Sequence, residues 1–517
     1  MPCRLNALSL ADLSPMRMVA ETPPRRSFCP AVRRGSPWRG RSLRRDVGPA
    51  ARLPSVASRG GFESLVRRLS RICLLSGAGL LAGSFEARSW WDSVHNGIPV
   101  PSVAARLPQD GISASRQWLA DRGVVYGLEY TADVLSNVRG GLRTGTVYQG
   151  KLHGILTVDL DKLSGWEGLS FYLNFFQIHN TGRIRRDYVG GINTIAAIEA
   201  VPATRLSELW LERKFAGGRA SLRFGQLAAD SEFFFSDLSA LFLHSDWPTI
   251  AATNLPSGGP AYPLSTPGVR FKYEPIPDAA SFLLAVFNGD PAGPGDGDEQ
   301  LRNRHGLNFR LHDPPLLIGE AQFRRNTGDK DTGLATTLKL GAWRHFGTFD
   351  DKRFAIEGML LADPASSGVP ARRRGNSGVY VVLDQQLYRP RGGDAESGIS
   401  VFTRASLSPS DRNLIDAYID GGVVFAGMIP ARPHDKFGAA FIYARFSNGI
   451  RAYDRDLAAL SGAAGPVRDY EANLEFTYQA QIVPGWTVQP ILTFVRHPNG
   501  DRSRNAAVVG ARSLWRY

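Results

Sequence analysis

Cysteine is scarce in this chain. Among its 517 residues only Cys3, Cys29 and Cys73 are cysteines, and residues 88–517 contain none. This distribution excludes a disulfide framework or a cysteine-based metal site from most of the chain. A long stretch without thiols suits a protein that crosses an oxidising periplasm, where stray thiols pair wrongly during assembly.

Excess charge is also missing from most of the chain. The net charge is +13 and the pI is about 9.8, but residues 1–60 hold 12 arginines against Asp12, Glu21 and Asp46. Residues 61–87 add one further positive charge, so only +3 remains for residues 88–517. Because that part has no basic run interleaved with aromatic residues, we expect no nucleic-acid partner.

Sequence signatures of catalysis are missing too. The nine histidines form no H-x-x-x-H or H-E-x-x-H pattern, and neither a G-x-S-x-G elbow nor a P-loop is present. We therefore predict that the protein is not an enzyme and needs no metal or cofactor. The alternative is a membrane hydrolase that assembles its site from residues distant in sequence, and such a protein would hydrolyse ester or peptide substrates.

Long hydrophobic runs are limited to one short stretch. Arg67, Arg68 and Arg71 precede the apolar residues 72–83, which have the charge, length and small-residue exit of a secretory signal cleaved between about residues 83 and 87. The run is too short for a transmembrane helix, which needs about 20 apolar residues. We expect a disordered or over-extended N-terminus at 1–60 and a signal peptide at 61–87.

From Trp118 onward, apolar and polar side chains alternate in segments of about ten residues. In 474–482, for example, Leu474 and Phe476 alternate with Glu475 and Thr477. A period of two is the signature of a strand with two unlike faces. Strands are predicted at 206–215, 306–312, 320–325, 337–343, 398–407, 436–445 and 474–482.

Alternation alone does not separate a soluble β-sandwich from a membrane barrel, which shows its apolar face to lipid. The secretory signal favours the barrel, as does the final segment 506–517, whose Trp515 and terminal Tyr517 resemble an outer-membrane assembly signal. The predicted fold class is all-β, a transmembrane antiparallel β-barrel of about 16 strands with an aqueous lumen and a short N-terminal periplasmic helical segment. We expect the periplasmic segment at 88–125 and the outer-membrane β-barrel at 126–517. Aromatic residues recur near the predicted strand ends at Trp166, Trp210, Trp343, Tyr388 and Trp486.

Short motifs follow one another in a fixed order over residues 115–517. They are WLADRGV at 118–124, DLDKL at 159–163, GWEG at 165–168, FGQ at 224–226, HPNG at 497–500 and VVGAR at 508–512. In this order they resemble the carbohydrate-selective porins of the OprB type. The chain departs from that family in ending with Tyr517 rather than the commoner Phe, and residues 1–60 match nothing in it.

The resemblance implies an outer-membrane porin through which mono- or oligosaccharides diffuse passively into the periplasm, without a cofactor. It also implies contact with outer-membrane lipid and lipopolysaccharide and folding by the outer-membrane assembly machinery, and it allows a homotrimer. A general or anion-selective porin of the same architecture is the main alternative. A soluble secreted β-sandwich that binds a ligand is the third reading.

A pore that selects sugars needs charged or amide groups beside aromatic rings, because a sugar offers hydroxyls and a C–H face. The apolar residues 230–247 are interpreted as a constriction loop that folds inward, with a strand pair or rim loop as the alternative. The arginine-rich segments 183–186 and 372–374 could attract anions or be solvated loop charge. The candidate channel residues are Asp230, Glu232, Phe233, Arg270, Arg310, Glu320, Arg324, Arg404, Glu475 and Trp210.

Overall fold

The computed structural model describes residues 111–517 apart from 246, 329–330 and 462–464, together with the paired two-residue strands Val94–His95 and Ile98–Pro99. The N-terminus predicted at 1–60 and the signal peptide predicted at 61–87 lie outside the described residues. The helix expected within 88–125 is α1, Gly111–Asp121.

Within the described part of the chain, sixteen antiparallel strands close into one barrel. Each strand pairs with its neighbours in sequence, and the last strand closes the ring against the first. At this seam Tyr517 N donates to Leu128 O at 2.8 Å. The strands are β1 (Val124–Gly140), β2 (Gly145–Asp159), β3 (Leu169–Asn180), β4 (Ala203–Phe215), β5 (Ala220–Leu227), β6 (Thr266–Ile276), β7 (Ala280–Phe287), β8 (Leu316–Arg325), β9 (Thr336–Ala355), β10 (Pro370–Tyr388), β11 (Gly398–Leu407), β12 (Ile415–Ala426), β13 (Lys436–Phe446), β14 (Tyr470–Val483), β15 (Trp486–Arg496) and β16 (Asn505–Arg516).

The barrel carries polar side chains inside and apolar side chains outside. On β14, Glu471 and Glu475 are fully buried, whereas Leu474 and Phe476 are exposed. On β7, Leu284 is half exposed, as are its outward neighbours on the same strand. A soluble sandwich would bury the apolar set instead. This inversion is the arrangement of a membrane barrel, so the predicted fold class is confirmed and the β-sandwich reading is wrong.

The connections at the two ends of the barrel differ in length. At the end that holds the C-terminus they are short or moderate, as at 277–279, 484–485 and 326–335. The opposite end holds the longest ones, at 181–202, 228–265 and 288–315, beside short ones such as 141–144. Outer-membrane barrels have short periplasmic turns and longer extracellular loops, so the short-turn end faces the periplasm. Within the described residues, the remaining α-helices lie in connections: α2 (Leu160–Ser164), α3 (Thr249–Asn254), α4 (Glu299–Arg302) and α5 (Asn448–Ser461), and a π-helix covers Ile184–Val189.

Helix α1 packs at the short-turn end. Its Arg116 Nη2 donates to Tyr126 O at 2.9 Å, and the guanidinium lies over the rings of Tyr126 and Tyr517 at 4.6 and 5.1 Å. These contacts hold the helix against the seam between β1 and β16. Within the described residues, no helix has the length and hydrophobicity needed to cross a membrane.

Six of the seven strands predicted from alternation lie within observed strands, but the one at 306–312 is wrong. That segment is an extended connection between α4 and β8, and within the described residues it pairs with no strand. Two of the aromatic predictions fail as well. Trp343 and Trp210 lie within β9 and β4 rather than near their ends, whereas Trp486 begins β15 and stacks on Trp515 with ring centroids 4.3 Å apart.

Replacing Leu284 by arginine tests which face meets lipid. Leu284 lies at the centre of β7 and points outward, so Leu284→Arg is expected to destabilise the barrel in lipid by about 2–4 kcal/mol. The measurement is the free energy of unfolding by urea from lipid vesicles. Ala365→Arg, in the exposed connection after β9, is the matched control with an expected change below about 0.5 kcal/mol. Equal effects of the two variants would contradict the assignment of faces.

Candidate functional site

The connection between β5 and β6, residues 228–265, enters the barrel, and we call it the lumen loop. Leu243 N and His244 N donate to the Glu475 carboxylate of β14 at 2.8 and 3.0 Å, and Gln489 of β15 donates to Leu241 O at 2.6 Å. Because β6 and β14 stand opposite each other in a ring of sixteen strands, the loop spans the lumen. The expected inward fold of 230–247 is therefore observed.

The apolar residues of the lumen loop explain why it folds inward. Phe233, Phe234, Trp247 and Ile250 are buried together with apolar side chains of the barrel wall. Phe234 stacks on Tyr380 of β10 with ring centroids 4.0 Å apart. In an extracellular position these side chains would meet water, so their burial favours the inward conformation.

Buried carboxylates of the wall hold this loop by its backbone. Glu320 of β8 accepts a hydrogen bond from Phe234 N at 2.9 Å. Asp384 of β10 accepts from Asp237 N at 3.0 Å. Burying these carboxylates is tolerable because the N–H groups of the loop satisfy them, and Glu475 completes the set on β14. The conformation of the loop thus depends on wall residues far away in sequence.

Arg404 of β11 is a positively charged wall residue that also binds the lumen loop. It forms a buried ion pair with Asp420 of β12 at 2.5 Å, and its Nη1 donates to Phe234 O at 3.4 Å. We expected Glu320, Arg404 and Glu475 to contact passing sugars. In the structure all three bind the lumen loop. Their direct contact with sugars stays a prediction.

Beside the start of the lumen loop, two arginines and two glutamates form a closed set of ion pairs that we call the charge ring. Arg270 of β6 contacts Glu212 of β4 at 3.0 Å and Glu232 of the loop at 2.9 Å. Arg223 of β5 contacts the same two carboxylates at 2.8 and 3.3 Å. The two positive and two negative charges cancel. Arg270 and Glu212 are buried, so the ring exposes part of Arg223 and Glu232 as strong hydrogen-bonding groups, without a net charge.

Strand register builds the charge ring. Arg223 lies directly opposite Glu212 on one side and directly opposite Arg270 on the other. Two arginines side by side on a sheet repel each other. The carboxylate of Glu232, which the lumen loop brings to them, compensates this repulsion together with Glu212.

Trp210 lies two residues from Glu212 on the same face of β4. Tyr172 of β3 stacks on it with ring centroids 4.7 Å apart, and the Arg223 guanidinium lies 3.8 Å from the ring centre. Because these neighbours come from strands on either side of β4, they flank the indole. Trp210 therefore packs against the charge ring, and little of its indole face is free to stack on a sugar.

The other candidate residues are spread over the molecule. Asp230 accepts from Tyr262 N at 2.7 Å and joins the two arms of the lumen loop, and Phe233 is buried within that loop. Arg324 donates to Gln322 near the short-turn end of β8. Arg310 lies outside the lumen-facing strands, because the strand expected to carry it is not formed.

Two members of the charge ring were missed by the sequence reasoning. Glu212 and Arg223 are absent from the candidate channel residues named from the sequence. Arg223 stands between the outward-facing Leu222 and Phe224, which is the pattern of any lumen position. The available signal was the charged residue in an alternating segment, and it did not distinguish Arg223 from other such positions.

The Asp230 carboxyl gives the lumen loop a dependence on pH. Burial raises its pKa from the ordinary 3.8 to about 6, although the hydrogen bond from Tyr262 N opposes the shift. A group with a raised pKa stabilises the fold fully below its unfolded value and loses that contribution as pH rises through about 6. Asp230→Asn keeps an acceptor without the charge. We expect this variant to resist urea better than the parent above about pH 6 and equally well below about pH 4.

The control for this prediction is Asp394→Asn, in the exposed turn after β10, which is expected to unfold like the parent at both pH values. An identical urea midpoint for Asp230→Asn and the parent at pH 8 would contradict the raised pKa.

Among the described residues, no group of three or more His, Cys, Asp or Glu side chains is placed to hold a metal ion.

Comparisons with known proteins give matches over most of the barrel. The family model described as carbohydrate-selective porin, OprB family, matches residues 143–517. Porin B of Pseudomonas aeruginosa is 24% identical over 419 residues, which cover 77% of this chain and 88% of that protein. The high-pH structure of Pseudomonas putida OprB aligns with a TM-score of 0.70 and 21% identity, covering 78% of this chain and 97% of that one. The structural match shows a shared fold.

Proposed function

Because this chain belongs to the OprB family of carbohydrate-selective porins, we propose that the charge ring and the lumen loop form the passage through which sugars are selected. The protein is an outer-membrane channel for carbohydrates. Sugars diffuse passively past the ring, and no energy source or cofactor takes part.

The neutrality of the charge ring is the observation that carries this proposal. A sugar is uncharged and presents many hydroxyls, each able to donate and accept a hydrogen bond. Arginine and glutamate side chains hydrogen-bond hydroxyls strongly, and conduction requires that each contact be weak enough to release the solute. An ion gains little at a site whose charges cancel. The ring therefore favours neutral polyols over ions of similar size.

The alternative is an anion-selective porin, and the arginines at the long-loop end would be its basis. Arg183 and Arg186 both pair with Asp298, at 2.8 and 2.6 Å. Arg373 pairs with Asp351 at 2.6 Å. Pairing weakens the field that would draw anions toward the mouth. This arrangement supports the carbohydrate channel over the anion channel.

Liposome swelling tests the proposal. The refolded chain is reconstituted in vesicles, and the entry of glucose and larger sugars is compared with that of amino acids and salts matched in size. We expect sugars to enter several times faster than matched solutes. Entry ranked by size alone would reduce the protein to a general porin. Faster entry of anions would support the alternative.

We further propose the organisation and partners of the chain around this channel. Residues 1–60 lie outside the mature protein, 61–87 are the signal peptide and 88–125 are a periplasmic segment that precedes the barrel. The family and fold are those of a channel, and we propose that the barrel performs no catalysis. The outer-membrane assembly machinery inserts it, lipid and lipopolysaccharide surround it, and three copies associate side by side.

A further inference from the structure

The strands of the barrel are too short on one side to cross the whole apolar layer of a membrane. Strands β5 and β7 have eight residues each, whereas a strand needs about 9–11 residues to cross a membrane at a tilt near 45°. Eight residues at about 3.3 Å each, tilted by about 40°, rise about 20 Å, and the apolar band of such barrels is about 25 Å tall. Beside β5 and β7, the hydrocarbon layer of the membrane therefore extends past the strands and contacts the segment of chain above their long-loop ends.

Residues 306–312, which we call the collar, lie across this gap. Before the collar, Leu206 N of β4 donates to His305 O at 3.0 Å, so the chain abuts β4 beyond the end of β5. After it, Phe346 N of β9 donates to Pro315 O at 3.0 Å, so the chain has reached the position above β8. Between these two points stand the upper ends of β5, β6 and β7. The collar is thus a transverse piece of the wall.

The collar shows an apolar face. Leu307, Phe309 and Leu311 are 62%, 48% and 78% exposed. Between them, Arg310 pairs with Asp313 of the same connection, its Nε donating to the carboxylate at 2.7 Å. Large apolar side chains alternating with a polar one are typical of a segment between two unlike environments. Three such residues in water would form an unusual apolar patch for an extracellular connection.

We propose that the collar faces the membrane and that its three apolar side chains insert among the acyl chains of the outer leaflet. Lipid is the occupant because the collar continues the apolar band of the barrel. The outward residues immediately below the collar are exposed and apolar, among them Phe224, Val269 and Val286. The collar extends the band above the eight-residue strands, where those strands leave it short. A position between lipid and protein explains why side chains in 306–312 alternate as in a strand, although the segment pairs with no strand among the described residues.

Site-directed spin labelling tests the collar. Leu307→Cys, Phe309→Cys and Leu311→Cys are made one at a time in the full chain, with its three native cysteines replaced by serine, and refolded into lipid vesicles. Power saturation compares the accessibility of each nitroxide to oxygen, which partitions into hydrocarbon, with that to a water-soluble nickel chelate. Three outward positions are available, so one variant that fails to fold leaves two to report.

The controls fix the scale of this measurement. Leu284→Cys on β7 reports lipid, Ala365→Cys in the exposed connection after β9 reports water, and Asn308→Cys reports the other face of the collar. We expect the oxygen-to-nickel ratio at the three outward positions to be several-fold above that at Ala365 and close to that at Leu284, with a lower ratio at Asn308. A ratio equal to that at Ala365 would place the collar in water and overturn the proposal. Low accessibility to both reagents with dipolar broadening would also overturn it, because a second barrel would then cover the collar.

Discussion

Glu475→Ala is expected to raise the single-channel conductance several-fold and to weaken block by sugars at least tenfold. Glu475 is fully buried and holds the far end of the lumen loop through Leu243 N and His244 N. A hydrogen bond to a charged group contributes about 1.5–3 kcal/mol. Loss of both leaves two N–H groups without their acceptor, so the far end of the loop leaves the β14 wall and the lumen widens. Planar-bilayer recording of the refolded variant measures both quantities.

His244 contributes no ion pair to the anchor that Glu475 provides. Burial lowers its pKa to about 3, helped by the charge of Arg404, so its imidazole is neutral and its interaction with Glu475 at 3.1 Å is not an ion pair. Glu475→Gln keeps one acceptor oxygen and is expected to give an intermediate conductance. Glu396→Gln, on an exposed side chain at the short-turn end, is the matched control and is expected to behave like the parent.

The result also separates the two roles considered for Glu475. If the carboxylate bound sugars directly and did not hold the loop, sugar block would weaken while the ionic conductance stayed at the parent value. If it holds the loop, both change together. An unchanged conductance in a correctly folded Glu475→Ala barrel would show that the lumen loop does not limit the passage.

The alternation of side chains was sufficient to predict most strands, and the reason is physical. Each strand of a membrane barrel stands between lipid and an aqueous lumen, so its side chains alternate whatever the rest of the fold does. The same reasoning explains the failure at 306–312. Leu307, Phe309 and Leu311 alternate with polar neighbours, but alternation reports two environments and carries no information about a backbone partner.

The candidate site was harder to predict because it depends on contacts between distant segments. The lumen-facing positions of Glu320, Arg404 and Glu475 followed from their strands. Their contacts with the lumen loop, from Glu320 and Arg404 to Phe234 and from Glu475 to Leu243, join residues 86, 170 and 232 apart in sequence. No local pattern encodes such pairings. The charge ring likewise exists only because the register of three strands and the fold of the loop coincide.

Removing one charged side chain from the charge ring is expected to make the passage select ions. Loss of an arginine should favour cations, and loss of a glutamate should favour anions. Arg270→Gln leaves the ring with a net charge of −1, and Glu232→Gln leaves it with +1. A unit charge about 4 Å from an ion is worth about 4 kcal/mol at an effective dielectric constant near 20. Under a KCl gradient, the reversal potential should therefore shift toward cation selectivity for Arg270→Gln and toward anion selectivity for Glu232→Gln.

The double variant of these two residues separates charge from hydrogen bonding. It restores neutrality, so its reversal potential should return to that of the parent. It still lacks two charged hydrogen-bonding groups, so sugar block should stay weak, as in each single variant. Shifts of the same sign in both single variants would contradict the ring as the selective element. Full recovery of sugar block in the double variant would mean that neutrality alone, rather than the hydrogen bonds of arginine and glutamate, admits sugars.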